Sequence, residues 1–189
     1  MNTTSYLEKQ LENLNALLHG IAGDISEEEW LARPLPGQNR IGFNTWHIPR
    51  TQDNIVQLWI RGGTELFHRP AWEPWRALRP LGIGVGISLD QADAVATQIN
   101  LTETLAYADA VHEEILNWLR QISDDELDIV PDCAAHLATY PEYQTEGYRA
   151  ELASLVGQPT WSLLMRPCIG HIHRHLGELE LAKAMLRAG

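Results

Sequence analysis

The stretch Cys168-Ile169-Gly170-His171-Ile172-His173-Arg174-His175-Leu176-Gly177-Glu178, close to the C-terminus, sets the pattern for the rest of the chain. As a helix it puts His171 and His175 four residues apart, on one face and one turn above the other. Two imidazoles so placed can grip one divalent cation, as the helical H-E-x-x-H sites do. With 8 histidines in 189 residues, chance alone supplies roughly 0.3 such pairs, so the spacing needs a third ligand from elsewhere. His47, in Asn44-Thr45-Trp46-His47, is the best candidate.

The helix carrying the pair is expected to start with Thr160 as its cap and to run to about Arg187. Trp161, Met165, Ile172, Leu176 and Leu179 form its core stripe, with Leu164, Cys168, His171 and His175 on an adjoining strip. His173 points away from that strip, and Lys183 and Arg187 suit the negative end of the helix dipole. Three other long helical periods precede it. Residues 5 to 22 carry a Ser5/Glu8 capping box and a stripe of Leu7, Leu11, Leu14, Leu17, Leu18 and Ile21. The second helix starts between Ile41 and Trp46, runs to about Ile60, and ends at Gly62-Gly63. Pro49 would remove a hydrogen bond and crowd the preceding turn, which predicts a late start or a kink just after His47. The third runs from about Thr102 to Gln121, capped by Asn100 or Thr102, with Leu105, Ala108, Val111, Ile115, Leu119 and Ile122 in period.

Shorter elements punctuate these. Ser26/Glu29 boxes a short helix carrying Trp30, and Ser88/Gln91 caps another through Ala96. Ser123-Asp124-Asp125-Glu126-Leu127 repeats Ser26-Glu27-Glu28-Glu29-Trp30 after another long helix, which hints at helix pairs related by a pseudo-twofold. Arg33 to Asn39 reads as a connector. Residues 62 to 87 form a long connection rich in aromatic residues and proline, of the kind that borders sites. Its Trp72 and Trp75 either wall a ligand or anchor the loop, and anchoring is favoured because buried indoles dominate such packing. Gly82, Gly84 and Gly86 are no phosphate loop, since no Gly-Lys-Ser/Thr follows and no strand precedes. Residues 128 to 158 form a second excursion in which Tyr140, Tyr143, Tyr148 and His136 serve packing or surface. Cys133 has no neighbouring cation to activate it and reads as inert, and His112 as solvated surface.

The fold class that follows is all-α: a four-helix bundle with long loops and short accessory helices, one domain over residues 1–189. Bundles build metal sites from side chains on facing helices. Three neutral imidazoles with open coordination positions are a catalytic pattern rather than a closed structural one. The formal net charge of −11 argues against nucleic acid or an anionic membrane as partner. No apolar run nears the ~20 residues of a membrane span. Two cysteines with no secretory leader fit a cytoplasmic protein.

Asn44-Thr45-Trp46-His47, the phrase Leu105-Ala106-Tyr107-Ala108-Asp109-Ala110-Val111, and the tail from His171 to Glu178 resemble the DinB-like (damage-inducible, YfiT-type) metal-binding four-helix bundles, over nearly the whole chain. The resemblance implies that His47, His171 and His175 ligate a divalent metal, commonly nickel, zinc or iron. Glu178, one turn beyond His175, would then orient an imidazole from behind or remain a surface carboxylate. Some members are thiol S-transferases or isomerases using low-molecular-weight thiols such as bacillithiol or mycothiol. The expected function is therefore a metal-dependent transferase of that type acting on small electrophilic molecules. A non-catalytic metal or ligand-binding module and a metal-dependent small-molecule hydrolase are the alternatives. No catalytic side chain is singled out. A homodimer through outer helix faces fits the family, although no exposed stripe marks one. Pro49, so close behind His47, is a departure from the family pattern, and the two long loops leave the substrate class open.

Overall fold

Helix α1, Thr3–Ala22, buries Leu7, Leu11, Leu14, Leu18 and Ile21, the spacing that turns one face of a helix inward. It comes from a computed structural model that describes residues 2–188. The helix begins three residues earlier than a Ser5/Glu8 capping box would place it, because Asn2 is the cap and its side chain accepts the Ser5 N–H. Leu17 does not join the stripe and is 45% exposed, since one residue turns the helix by about 100°.

Helix α2 is Ile41–Asp53 and continues without a break into π-helical Asn54–Ile60. The predicted late start does not occur: the helix begins at Ile41 and the backbone stays α-helical through Pro49, which forgoes the bond its N–H would have made to Thr45. Helix α3, Leu101–Leu119, is capped by Asn100, which accepts the Glu103 N–H. Helix α4 is a continuous run of Thr160–Leu163, π-helical Leu164–Gly170 and His171–Ala188. Thr160 is its first residue, not its cap, and its hydroxyl donates to the Ile129 carbonyl at 3.0 Å. Trp161, expected in the core, is 44% exposed. The π-helical turns that follow shift the phase of the helix, so the stripe read backward from Ile172 does not extend to Trp161.

α1 packs against α3 and α4, and so does α2, which sets α1/α2 and α3/α4 across the diagonals of a four-helix bundle. Directions follow from the polar ties. The Thr3 and Thr4 N–H groups bond Asp124 just past α3, and Arg120 pairs with Glu8, so α1 and α3 are antiparallel. Lys183 and Arg187, at the end of α4, meet Asp24 at the end of α1, so these two are parallel. The Gln52 amide donates to the Cys168 carbonyl at 3.1 Å across antiparallel α2 and α4. Arg61 pairs with Glu114 along parallel α2 and α3. The order is up, down, down, up, and residues 61–100 must therefore cross the length of the bundle. A twofold relating α1 to α3 and α2 to α4 reproduces this order, and the Ser26/Glu29 and Ser123/Glu126 capping boxes, both formed, follow the two related helices.

The crossover descends from its prolines and aromatics. It contains the 3-10 turns Leu66–His68 and Pro70–Leu81 and the helix Leu89–Gln98, whose Ser88/Gln91 capping box is made. Trp75 is buried, and Trp72 meets the Tyr107 ring edge-on at 4.8 Å, so both indoles anchor the crossover to α3. The second excursion is tied to the π-helical half of α2. The Trp59 indole N–H donates to the Tyr148 hydroxyl at 2.7 Å, which in turn donates to Asn54 Oδ1 at 2.7 Å. No strand occurs among the described residues, and no helix among them is long and apolar enough to cross a membrane.

Candidate metal centre

The antiparallel contact of α2 and α4 carries His47 to the side of α4 that presents His171 and His175. Nε2 of His171 lies 3.2 Å from Nε2 of His47 and 3.0 Å from Nε2 of His175, and one ligand atom from each ring falls within 4.8 Å of the others. With metal–nitrogen bonds near 2.0–2.1 Å, two nitrogens on one ion sit about 2.9 Å apart in octahedral and about 3.3 Å apart in tetrahedral geometry. The two Nε2 distances fall inside that range.

What lies behind the rings decides which atoms face inward. His47 Nδ1 is 2.6 Å from the Ile83 carbonyl oxygen, and His175 Nδ1 is 2.7 Å from Glu178 Oε2. A carbonyl and a carboxylate only accept, so both Nδ1 atoms carry the proton and both Nε2 lone pairs point at the shared centre. The exposed Arg174 guanidinium donates to His171 Nδ1 at 3.1 Å, which leaves that ring to place its own proton between the two lone pairs. A cluster with two inward lone pairs and one inward N–H is completed by a cation in place of that proton, once Arg174 releases His171. The donor set fits a divalent ion.

Burial sets the protonation state. It pushes His47 down to about 3, helped by the neighbouring His175 and against the Ile83 carbonyl. It pushes His171 down to about 4, with His175 adding to the effect. His175 is lowered by burial too, while Glu178 opposes the shift. All three rings are therefore neutral at pH 7, the form that ligates. Thr51 sits beside them: its hydroxyl is 3.4 Å from His47 Nε2 and donates to the His47 carbonyl one turn back at 2.9 Å.

The carbonyl of Ile83 is held by its surroundings. Gly84 has φ +86°, and a Cβ there would lie 2.7 Å from the Phe43 ring, so only glycine lets the crossover lie this close to α2. One turn past His47, the fully buried Arg50 guanidinium clamps the same segment. It bonds Glu65 at 2.8 Å, Asp53 at 3.1 Å, the Tyr143 and Tyr107 hydroxyls at 2.9 and 3.0 Å, and the Gly82 carbonyl at 3.4 Å. Asp53 accepts the Leu66 and Phe67 N–H groups, each at 3.0 Å. Arg50 holds Glu65 below the usual carboxylate range, whereas burial raises Asp53 above it. This cluster escaped the sequence reading: Arg50 and Asp53 stand among Thr51, Gln52 and Asn54, so nothing in the local pattern marks them as buried.

A cleft of about 270 Å³ opens beside His47 and His171, between α2, α4, the crossover and the helix Glu146–Leu152. Its walls are mostly aliphatic, from Ile55, Ile83, Val85 and Leu155, with Thr51, Glu151 and Arg166 as polar points. Of the residues singled out by sequence, His47, His171 and His175 meet, and Glu178 touches His175. Trp72 and Trp75 lie outside the cleft lining. His173 is exposed, as expected, whereas His112 is half-buried rather than solvated. Both cysteines are buried and unpaired among the described residues, and burial pushes the Cys133 thiol up to about 11 and Cys168 higher still. No curated protein matches the chain. A family model described as the DinB superfamily matches residues 6–179.

Proposed function

Because the chain belongs to the DinB superfamily, we propose that it holds one divalent cation on His47, His171 and His175 and works on small molecules entering the adjoining cleft. The observation that carries this reading is the pair of protonated Nδ1 atoms on His47 and His175, which aim two Nε2 lone pairs at one point beside His171. Glu178 orients His175 and raises its basicity from behind. Nickel, zinc and iron all suit three imidazoles, and supply and geometry select among them.

The reaction class that fits best is thiol S-transfer to a small electrophile. A divalent ion bound there supplies the positive charge that keeps a thiol deprotonated at neutral pH. The chain does the rest. The aliphatic walls from Ile55, Ile83, Val85 and Leu155 exclude water from the sulfur, and the cleft reaches His47 and His171 of the triad. The sulfur lone pair forms the new S–C bond, the leaving group departs with its electron pair, and the thiol proton goes to solvent. Neither cysteine competes as nucleophile, since both thiols are buried and protonated.

Two measurements test this. Elemental analysis of protein purified without chelator should find about one first-row metal per chain, lost in His47→Ala. Turnover of an activated aryl halide with a panel of low-molecular-weight thiols should then require the metal-loaded form. Equal rates for the loaded protein and His47→Ala would refute the transferase; metal bound without turnover would leave a binding module.

A further inference from the structure

The chain is strongly acidic, with 25 carboxylate side chains against 14 lysines and arginines. Nearly every cation is spoken for: among the described residues, all but Arg149 and Arg166 lie within 4 Å of a carboxylate. Arg149 bonds the Gln144 side chain, outside the cleft that adjoins the histidines. Arg166 lies on that cleft. It stands on the π-helical turn of α4, five residues before His171, whose backbone N–H bonds the Arg166 carbonyl. Its guanidinium meets only Ser154, at 3.3 Å from both the carbonyl oxygen and the hydroxyl.

Two weak neutral acceptors position this guanidinium without neutralising it. In a molecule whose net charge of −11 repels anions, an unpaired cation on an aliphatic cleft is the local feature that would draw one in. Glu151 lines the same cleft and disfavours a second negative charge. The volume of about 270 Å³ lies just below the usual range of ligand sites, which limits the occupant to a small molecule.

We infer that the cleft receives a small molecule with an apolar body and a single carboxylate, the carboxylate on Arg166 and the far end at the three histidines. This rests on the metal-site reading for its inner end and on Arg166 alone for its outer end, so the two can fail separately. Arg166 is on this view a binding and specificity residue. It takes the carboxylate through two parallel N–H donors, a geometry that lysine cannot supply.

The experiment uses the full chain loaded with cobalt(II) and titrated with ω-mercaptoalkanoates and the matching ω-mercaptoalkanols of four to seven carbons. Thiolate-to-cobalt absorption gives each Kd. The acids should bind about tenfold tighter than the alcohols, the scale of one charge-assisted pairing at a partly exposed site. Arg166→Gln should abolish that preference while cobalt binding and alcohol affinity stay as they were, and Arg166→Lys should recover only part. Ser154→Ala should lower the preference about two- to threefold. An unchanged preference in Arg166→Gln, or none in the parent, overturns the inference. A parallel calorimetric titration of metal-free protein with hexanoate and hexanol reads the outer end by itself. If cobalt fails to bind but hexanoate binds through Arg166, the metal reading falls and the carboxylate site stands. If hexanoate binds no better than hexanol and cobalt also fails, both fall.

Discussion

Replacing Arg50 with methionine should destabilise the protein far more than its distance from solvent chemistry suggests. Arg50, Asp53 and Glu65 are all fully buried, and the cluster holds two carboxylates to one guanidinium. Methionine fills much of the same volume over the Phe67 ring, which the guanidinium overlies at 4.0 Å, but it offers no donor. Asp53 keeps its two backbone N–H partners, whereas Glu65 loses its guanidinium and keeps the Tyr143 hydroxyl and the Asn54 amide, with His68 Nε2 at 3.4 Å. Removing one partner of a buried pair costs about 3–5 kcal/mol, and the two remaining carboxylates, now without a cation between them, place this case in the upper half. At about 2–4 °C per kcal/mol for a domain of this size, the midpoint should fall by roughly 8–20 °C. Urea unfolding followed by tryptophan fluorescence, with calorimetry alongside, measures both. The pH dependence identifies the cause. Without Arg50 both carboxylates have folded pKa values above their unfolded ones, so the variant should regain stability as pH falls toward 5 and lose it as pH rises. A loss below about 1 kcal/mol at pH 7, or a variant no more tolerant of pH 5 than of pH 8, would refute the account of a charged cluster.

Three further outcomes follow from the metal centre. Glu178→Gln should weaken metal binding about tenfold in competition with a chelator, the low end for a group behind a ligand because Glu178 is half-exposed; undiminished affinity would make it a surface carboxylate. In chelator-treated protein, His47 is held down to about 3 from an ordinary 6.5. The unfolded chain therefore takes up a proton that the fold refuses: the stability is complete above about pH 6.5 and drains at up to 1.4 kcal/mol per unit as pH falls through that window. His47→Gln should lessen that slope without abolishing it, because His171 and His175 are lowered too, and urea midpoints that run parallel in variant and parent between pH 4 and 7 would count against it. Gly84→Ala adds a Cβ 2.7 Å from the Phe43 ring at φ +86°; it should cost about 1–3 kcal/mol and also lower metal affinity, because Ile83 must retreat from His47.

The bundle was legible because its evidence is periodic. Leu7 to Ile21 and Val111 to Leu119 repeat at helical spacing, and the Ser26, Ser88 and Ser123 boxes punctuate them. Spacing of i, i+4 picks out two of the three clustered histidines, whereas His47 was a candidate that the family resemblance of Asn44-Thr45-Trp46-His47 completed. The errors have local causes. Trp161 was assigned to the core by extending an α-helical period through Leu164–Gly170, where the period is not α-helical. Pro49 was expected to delay the start of the helix or kink it after His47, whereas the backbone is already α-helical from Ile41 and stays so through Pro49. The Arg50 cluster and the Ile83 carbonyl were invisible for another reason. Glu65, Ile83 and Tyr143 lie 15 to 93 residues from their partners in irregular connections, and no periodic pattern announces such pairings.

Both helices that supply imidazoles contain a π-helical stretch, Asn54–Ile60 after His47 and Leu164–Gly170 immediately before His171. Such a stretch accommodates one extra residue, and each residue in an α-helix is worth about 100° of rotation. The two halves of α4 thus have independent azimuths: Leu163 and Leu164 can stay locked in the core while the segment from His171 onward is aimed separately. Excising one residue from Leu164–Gly170 would restore a uniform winding and swing one half relative to the other by about a quarter turn. An insertion of a single codon, tolerated because it is absorbed as a wide turn, is then a route by which an ordinary core helix acquires a ligand-bearing face without repacking the end that already fits.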